Sequence, residues 1–248
     1  MKIATHIAAV AAIALFATGA SAQSAKFAAN YAMDTVTLAD FELNNTVGFE
    51  VDRSDTFATE LLATIRAPKG KEFLIGVSGV ANIVTFTEVK ARNKAGASTA
   101  VAEGIMNLEV RYAPTGTANI CTNELGLLAA PGPLTFAARK QTLSVTVDLD
   151  VIDTTTDLVA EDLAIDGSVT VALGLDTTAA HHFNFVAIDL PASGEYDVVA
   201  CFSGDGSVSV TEAELGDNTA RSFVAIAHRM VTVQEVRAVK DSIIDLIN

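Results

Sequence analysis

The stretch L-S-V-T-V-D-L-D-V, Leu143 to Val151, decides the fold class. Its apolar residues Leu143, Val145, Val147, Leu149 and Val151 alternate with Ser144, Thr146, Asp148 and Asp150. Successive side chains on a strand point to opposite faces, so the run sets one apolar ridge on a core and one polar ridge in water. A helix would scatter the same residues around its circumference. The valines and Thr146 also suit a pleated surface. A second run follows, in which Val169, Val171, Leu173 and Leu175 alternate with Ser168, Thr170, Ala172 and Gly174. Strands wet on one face point to antiparallel sheets, because parallel sheets are usually buried on both. The two runs are therefore expected to be neighbours in one sheet.

Working outward, the same alternation returns. In Gly104 to Tyr112, Met106, Leu108, Val110 and Tyr112 share a face. In Glu195 to Phe202, Tyr196, Val198, Ala200 and Phe202 share one and leave Cys201 on the other. Shorter strands are expected at Met33 to Leu38, Thr46 to Val51, Phe57 to Ala67 and Leu134 to Ala138, after a loose start over Gln23 to Asn30. Pro68-Lys69-Gly70 punctuates a turn. Glu72 to Lys90 is too long for a typical strand, so Gly76 and Ser78-Gly79 are expected to mark a turn or bulge inside it. L-P-A-S-G, Leu190 to Gly194, reads as a hairpin loop between His181 to Ile188 and Glu195 to Phe202. Gly204-Asp205-Gly206 is expected to turn the chain into Ser207 to Val210. Ser222 to Val236 reads as a long strand or a strand pair. Val236, Val239, Ile243 and Ile247 have near-helical spacing and allow a short C-terminal helix. The pattern predicts an all-β fold, an antiparallel β-sandwich, with a jelly roll or an open barrel as the alternative.

The first 22 residues predict a secretory signal peptide. Lys2 gives a positive start, Ile7 to Phe16 a short apolar run, and Ala20-Ser21-Ala22 a small-residue cleavage site. That apolar run is short for a membrane span, and no later stretch is long and apolar enough for one. The remaining chain, 23–248, is expected to form a single sandwich domain, exported to the periplasm, the cell surface or the medium. The formal net charge is −14, and the signal contributes only positive charge. An acidic chain repels phosphate backbones, which argues against nucleic-acid binding. Asn44-Asn45-Thr46 is a glycosylation sequon.

The two cysteines, Cys121 and Cys201, are expected to form one disulfide in an exported protein. The stretch from Ala113 to Gly132 contains Pro114, Gly116, Gly126 and Pro131 and could be a domain linker. Cys121 favours a long loop stapled onto the domain instead.

Candidate chemistry is sparse. His181 and His182 are adjacent, so a strand points them to opposite faces, and a three-histidine zinc site would require His228 to converge with both. Asp148, Asp150, Asp153, Asp157, Glu161, Asp162 and Asp166 form an acidic segment without Lys or Arg, and Asp205, Glu212, Glu214 and Asp217 form a second. Oxygen-rich loops can hold calcium, but neither segment has the spacing of a known calcium loop. No cofactor is otherwise expected. Arg66, Lys69, Lys71, Lys90, Arg92 and Lys94 cluster in sequence. If both groups lie at one end of the sandwich, they favour head-to-tail association of copies. There is no G-x-S-x-G, H-E-x-x-H or S-x-x-K motif, no P-loop and no dinucleotide fingerprint. The chain has no Trp, which counts against a sugar-binding cleft. The expected role is a non-enzymatic surface or matrix module that binds itself or other surface proteins. The alternative is a secreted hydrolase or a small-ligand or calcium-binding module.

Overall fold

Period-two sequences rich in Val, Thr, Phe and Ala build long strands, and a computed structural model of the chain consists of them. It describes residues 27–44, 50–51, 58–92, 96–122, 124–147, 168–211 and 218–236. The strands are β1 (Phe27–Ala32), β2 (Val36–Asn44), β3 (Glu50–Val51), β4 (Ala58–Ala67), β5 (Glu72–Arg92) and β6 (Gly96–Pro114). They continue with β7 (Leu127–Leu128), β8 (Leu134–Val147), β9 (Ser168–Ala187), β10 (Gly194–Thr211) and β11 (Thr219–Val236).

Two antiparallel sheets pack face to face. In sheet A the order is β1, β11, β5, β9, and β2 continues the β1 column along β11. In sheet B the order is β3, β10, β6, β7, with β4 continuing the β3 column and β8 the β7 column. The fold is thus an all-β sandwich. The proposed C-terminal helix, the signal peptide and Asn45-Thr46 of the sequon lie outside the described residues.

The core lies between the sheets and is built by the expected alternation. Met106, Leu108, Val110 and Tyr112 of β6 are buried, as are Tyr196, Val198, Ala200 and Phe202 of β10. Phe73, Ile75, Val77 and Ile83 face them from β5. Phe136 of β8 meets Phe202 edge-on at 5.6 Å between ring centroids, and Phe183 of β9 at 5.5 Å.

Several local expectations are corrected. Leu143 to Val147 and Ser168 to Leu175 are not sheet neighbours: β8 pairs with β6 in sheet B, and β9 pairs with β5 in sheet A. Each has one face toward the core and one toward water, as strands of a two-sheet sandwich do, so shared alternation did not imply pairing. Leu134 to Ala138 is not a separate strand but the start of β8, and 148–151 lie outside the described residues. Phe27–Ala32 is a strand, held by six-residue pairing to the end of β11, although its sequence is weakly patterned. β5 runs unbroken through Gly76 and Gly79 for 21 residues. The bulge is in its partner: Ala227 and Met230 of β11 face Val80 and Ser78, so His228 and Arg229 stand against Gly79 alone. A Cβ at Gly79 would lie 2.9 Å from Ile226 Cδ1 and 3.4 Å from Phe136 Cζ, so the inner face is closely packed there.

L-P-A-S-G is not a hairpin loop. β9 belongs to sheet A and β10 to sheet B, so 188–193 arch from one sheet to the other. The arch is tied down through buried Leu190, whose N–H donates to the Lys71 carbonyl (3.1 Å) and whose carbonyl accepts from Gly70 N–H (3.0 Å). Tyr196 Oη donates to the Ala192 carbonyl at 2.8 Å. Gly204-Asp205-Gly206 does not turn the chain either, and lies inside β10. A Cβ on Gly204 would stand 2.6 Å from the Leu38 backbone, so this glycine admits β2 against sheet B, while one on Gly206 would meet the Glu103 carbonyl of β6.

Candidate functional site

Among the described residues, the β9 edge of sheet A carries a stretch of backbone that no strand pairs. Near the end of β9, Val186 and Ala130 exchange two backbone hydrogen bonds of 2.9 Å. The Val186 N–H and C=O therefore point away from β5. The β5–β9 register is continuous from Ser168 to Ala187, and backbone direction alternates along a strand. It follows that Thr170, Ala172, Gly174, Asp176, Thr178 and Ala180 also turn their N–H and C=O outward. Among the described residues no strand pairs with them. Asp176 is the one ionisable side chain from Thr170 to Ala180.

The side chains repeat the message. Odd residues of β9 face sheet B, and Phe185 and Ala187 are fully buried there. Toward the other end of the strand the same face is open, with Val171 36% and Leu173 39% exposed.

The other edges are guarded. Across the β1 side, Arg229 donates to Asp34 Oδ1 at 2.6 Å and to Thr59 Oγ1, and Asn30 Nδ2 donates to the Leu62 carbonyl at 2.7 Å. β4 carries exposed Glu60 and Arg66. β8 carries Arg139 and Lys140, the latter 3.5 Å from Glu103. Charges on an edge and short, broken edge strands are the usual defences against unwanted pairing.

On the outer face of sheet A a concavity of about 570 Å³ is lined by Glu42, Val84, Phe86, Thr219, Arg221 and Phe223. Arg221 Nη2 also reaches Asp40 Oδ2 at 3.3 Å. Phe86 lies beside Gly174, where an added Cβ would be 3.6 Å from the ring. The apolar floor thus extends to the β9 edge.

The histidines do not converge. His181 lies on the inner face, edge-on to Phe136 at 5.3 Å. His182 lies on the outer face, where Nδ1 is 2.8 Å from Ser78 Oγ and Nε2 is 3.1 Å from Asn184 Oδ1. His228 is exposed at the β11 bulge with a φ of 49°. Among the described residues no group of three metal-binding side chains occurs. The acidic segment from Asp148 to Asp166 lies outside the described residues, as do Glu212, Glu214 and Asp217. Asp205 is described, and its Oδ1 accepts from Gly206 N–H at 2.7 Å. Lys71 and Lys90 stand near opposite ends of β5. At about 3.3 Å per residue they are about 60 Å apart, so the basic residues do not form a single basic end. The premise of head-to-tail charge pairing fails for that reason.

Cys121 and Cys201 come within disulfide distance, with Cα atoms 5.8 Å apart. Cys201 points to the outer face of sheet B and packs there with Ala113, Ile120 and Val199. Beside them Asp197, only 7% exposed, accepts from Thr64 Oγ1 (2.7 Å), Thr115 Oγ1 (3.2 Å) and Gly116 N–H (3.2 Å). The loop after β6 is thus fastened to the sheet at two points. Sequence reasoning missed Asp197, although its shared parity with Cys201 was a usable signal. It also missed Gln141 and Arg229, both buried and hydrogen-bonded.

No protein family and no curated protein matches the chain. Among solved structures, similarity is slight. A chain of infectious bursal disease virus, Gt strain, is 9% identical with a TM-score of 0.17, covering 89% of this chain and 43% of its own length. A lipoprotein of Bacteroides thetaiotaomicron is 8% identical with a TM-score of 0.12, covering 84% of this chain and 100% of its own. This chain spans less than half the length of the viral one.

Proposed function

We propose that this chain is an exported, non-enzymatic β-sandwich that serves as a structural or interaction module of a cell surface or matrix and associates with copies of itself. One observation carries the reading: Val171 and Leu173 stand exposed together on β9, an edge strand with one ionisable side chain from Thr170 to Ala180, in a chain with a net charge of −14. Apolar side chains exposed along a charge-poor strand edge of an acidic protein suit an interaction surface. The signal-like first 22 residues and the sulfur pair support export. Sedimentation velocity of residues 23–248, from micromolar to millimolar concentration, tests self-association. The expected result is a sedimentation coefficient that rises with concentration. A constant monomer value overturns it.

A second reading, a small-ligand module, is favoured by the concavity between Phe86 and Phe223. Arg221 at its rim is engaged by Asp40 with Glu42 beside them, so the apolar floor suits a neutral apolar ligand. Titration with neutral apolar compounds, followed by the ring resonances of Phe86 and Phe223, tests it, and unmoved resonances remove it.

A further inference from the structure

We propose that two copies join edge to edge through β9, antiparallel and two-fold symmetric about Gly174, so that sheet A continues from one copy into the next. The inference rests on the self-association reading and names the surface responsible.

The argument starts from backbone groups. Among the described residues, the outward-facing N–H and C=O groups at even positions from Thr170 to Ala180 meet no strand, and such a ladder can accept one. The same strand is closed by Ala130 at Val186, so the bare part lies before that bridge. A second copy fits this ladder because the stretch is self-complementary. Only registers that set even residues against even residues bring outward groups together. Symmetry about Gly174 does so from Thr170 to Thr178, pairing Thr170 with Thr178, Ala172 with Asp176, and Gly174 with itself. Each Asp176 then faces an alanine, so no like charges meet. Threonine meets threonine, a favourable cross-strand pair. At the centre, Gly174 leaves room for Phe86 on both sides of the junction, the way an aromatic covers a strand glycine.

The side chains gain as well. Val171 and Leu173 overhang the end of the sandwich on its inner face, and the symmetric partner brings its own Val171 and Leu173 to the same face. An isologous contact of this kind closes as a dimer. Its bonds are backbone bonds along a charge-poor strand, while the rest of each copy is acidic. Added salt should therefore tighten association by screening repulsion between copies. Ionic docking would weaken instead.

The test combines variants with amide exchange on residues 23–248. Ala172→Pro removes an N–H that points away from β5, so the internal sheet is kept, and edge strands accept proline there. Val171→Lys adds the kind of guard that other edges carry. Each should weaken self-association about tenfold or more with circular dichroism unchanged. In the unmodified protein, exchange at Ala172, Gly174, Asp176 and Thr178 should slow as concentration rises. Leu173, Leu175 and Thr177, bonded to β5, should be slow at every concentration. If the protein associates and both variants associate equally well, the β9 interface is wrong while self-association stands. If the unmodified protein stays monomeric, the reading beneath it fails. Should neither variant fold, the exchange pattern decides. Even-numbered amides slow at the lowest concentration would mean that the chain covers its own edge, and would overturn the interface.

Discussion

At Gln141 the two sheets are joined by hydrogen bonds rather than apolar packing. The side chain reaches from β8 to accept from Thr85 Oγ1 (2.7 Å) and to donate to Thr87 Oγ1 (2.7 Å) and the Leu173 carbonyl (2.6 Å). All three side chains are buried. A buried polar group left without a partner costs more than the bond itself was worth. Gln141→Leu should therefore lower stability by about 2–4 kcal/mol, read from urea midpoints. Adding Thr85→Val and Thr87→Val should recover most of that loss, and no recovery would show that the hydroxyls were never the problem. Arg229 is a second such residue, 3% exposed amid the apolar β11. Its hydrogen bond holds the Asp34 carboxyl below the ordinary value of 3.8. A lowered folded-state pKa means that the ionised form is favoured by folding. The contribution is complete above the unfolded value and is lost as pH falls through the folded one. Asp34→Asn should thus be less stable than the unmodified protein at neutral pH. The gap should shrink once pH drops below about 4. A gap that persists unchanged into strong acid would rule out the charge as its source.

The elements show what a period-two reading captures and what it leaves open. Facing residues of β6 and β10 were legible because both are central strands with one core side, and the alternation there is strict. The opposite facing of Cys201 followed from the same parity. Which strand pairs with which was not legible, because hydrophobic alternation is a property of one strand and pairing is not. β8 and β9 look alike because each sets one face on the core and one in water, and they belong to different sheets. Gly76, Gly79, Gly204 and Gly206 read as turns, yet they answer close approaches by Thr232, Ile226, Leu38 and Glu103. Those neighbours are far away in sequence, so no local pattern could announce them. Of the candidate surface, the alternation of Val169 to Leu175 was visible, but its emptiness on one side was not. The sulfur pair makes a prediction at this scale. It closes a span of 80 residues and pins the loop after β6 over sheet B. Cys121→Ser with Cys201→Ser should cost about 2–5 kcal/mol and open the peptide bonds between Pro114 and Gly126 to proteases. Asp197 holds the loop independently, so the sandwich itself should survive. Loss of the all-strand circular dichroism spectrum would contradict that division of labour.

For the whole molecule, charge and shape pull in opposite directions. The sequence pI is about 4.5, so copies repel at neutral pH and progressively less in mild acid. Self-association should strengthen as pH falls from 7 toward 4.5, which light scattering at fixed concentration would report. Scattering that stays flat across that range would mean that net charge has no hold on assembly. The order of the strands has a separate bearing on biogenesis. β11 is the spine of sheet A, with β1 and β2 on one flank and β5 on the other, and β10 is the corresponding spine of sheet B. Both are among the last segments a ribosome delivers. Until they emerge, β5 has only β9 beside it and β6 only β7 and β8, while β1 to β4 have no sheet to join. Both layers therefore stay half-built for most of translation, and their closure over a shared interior must wait for the final segments.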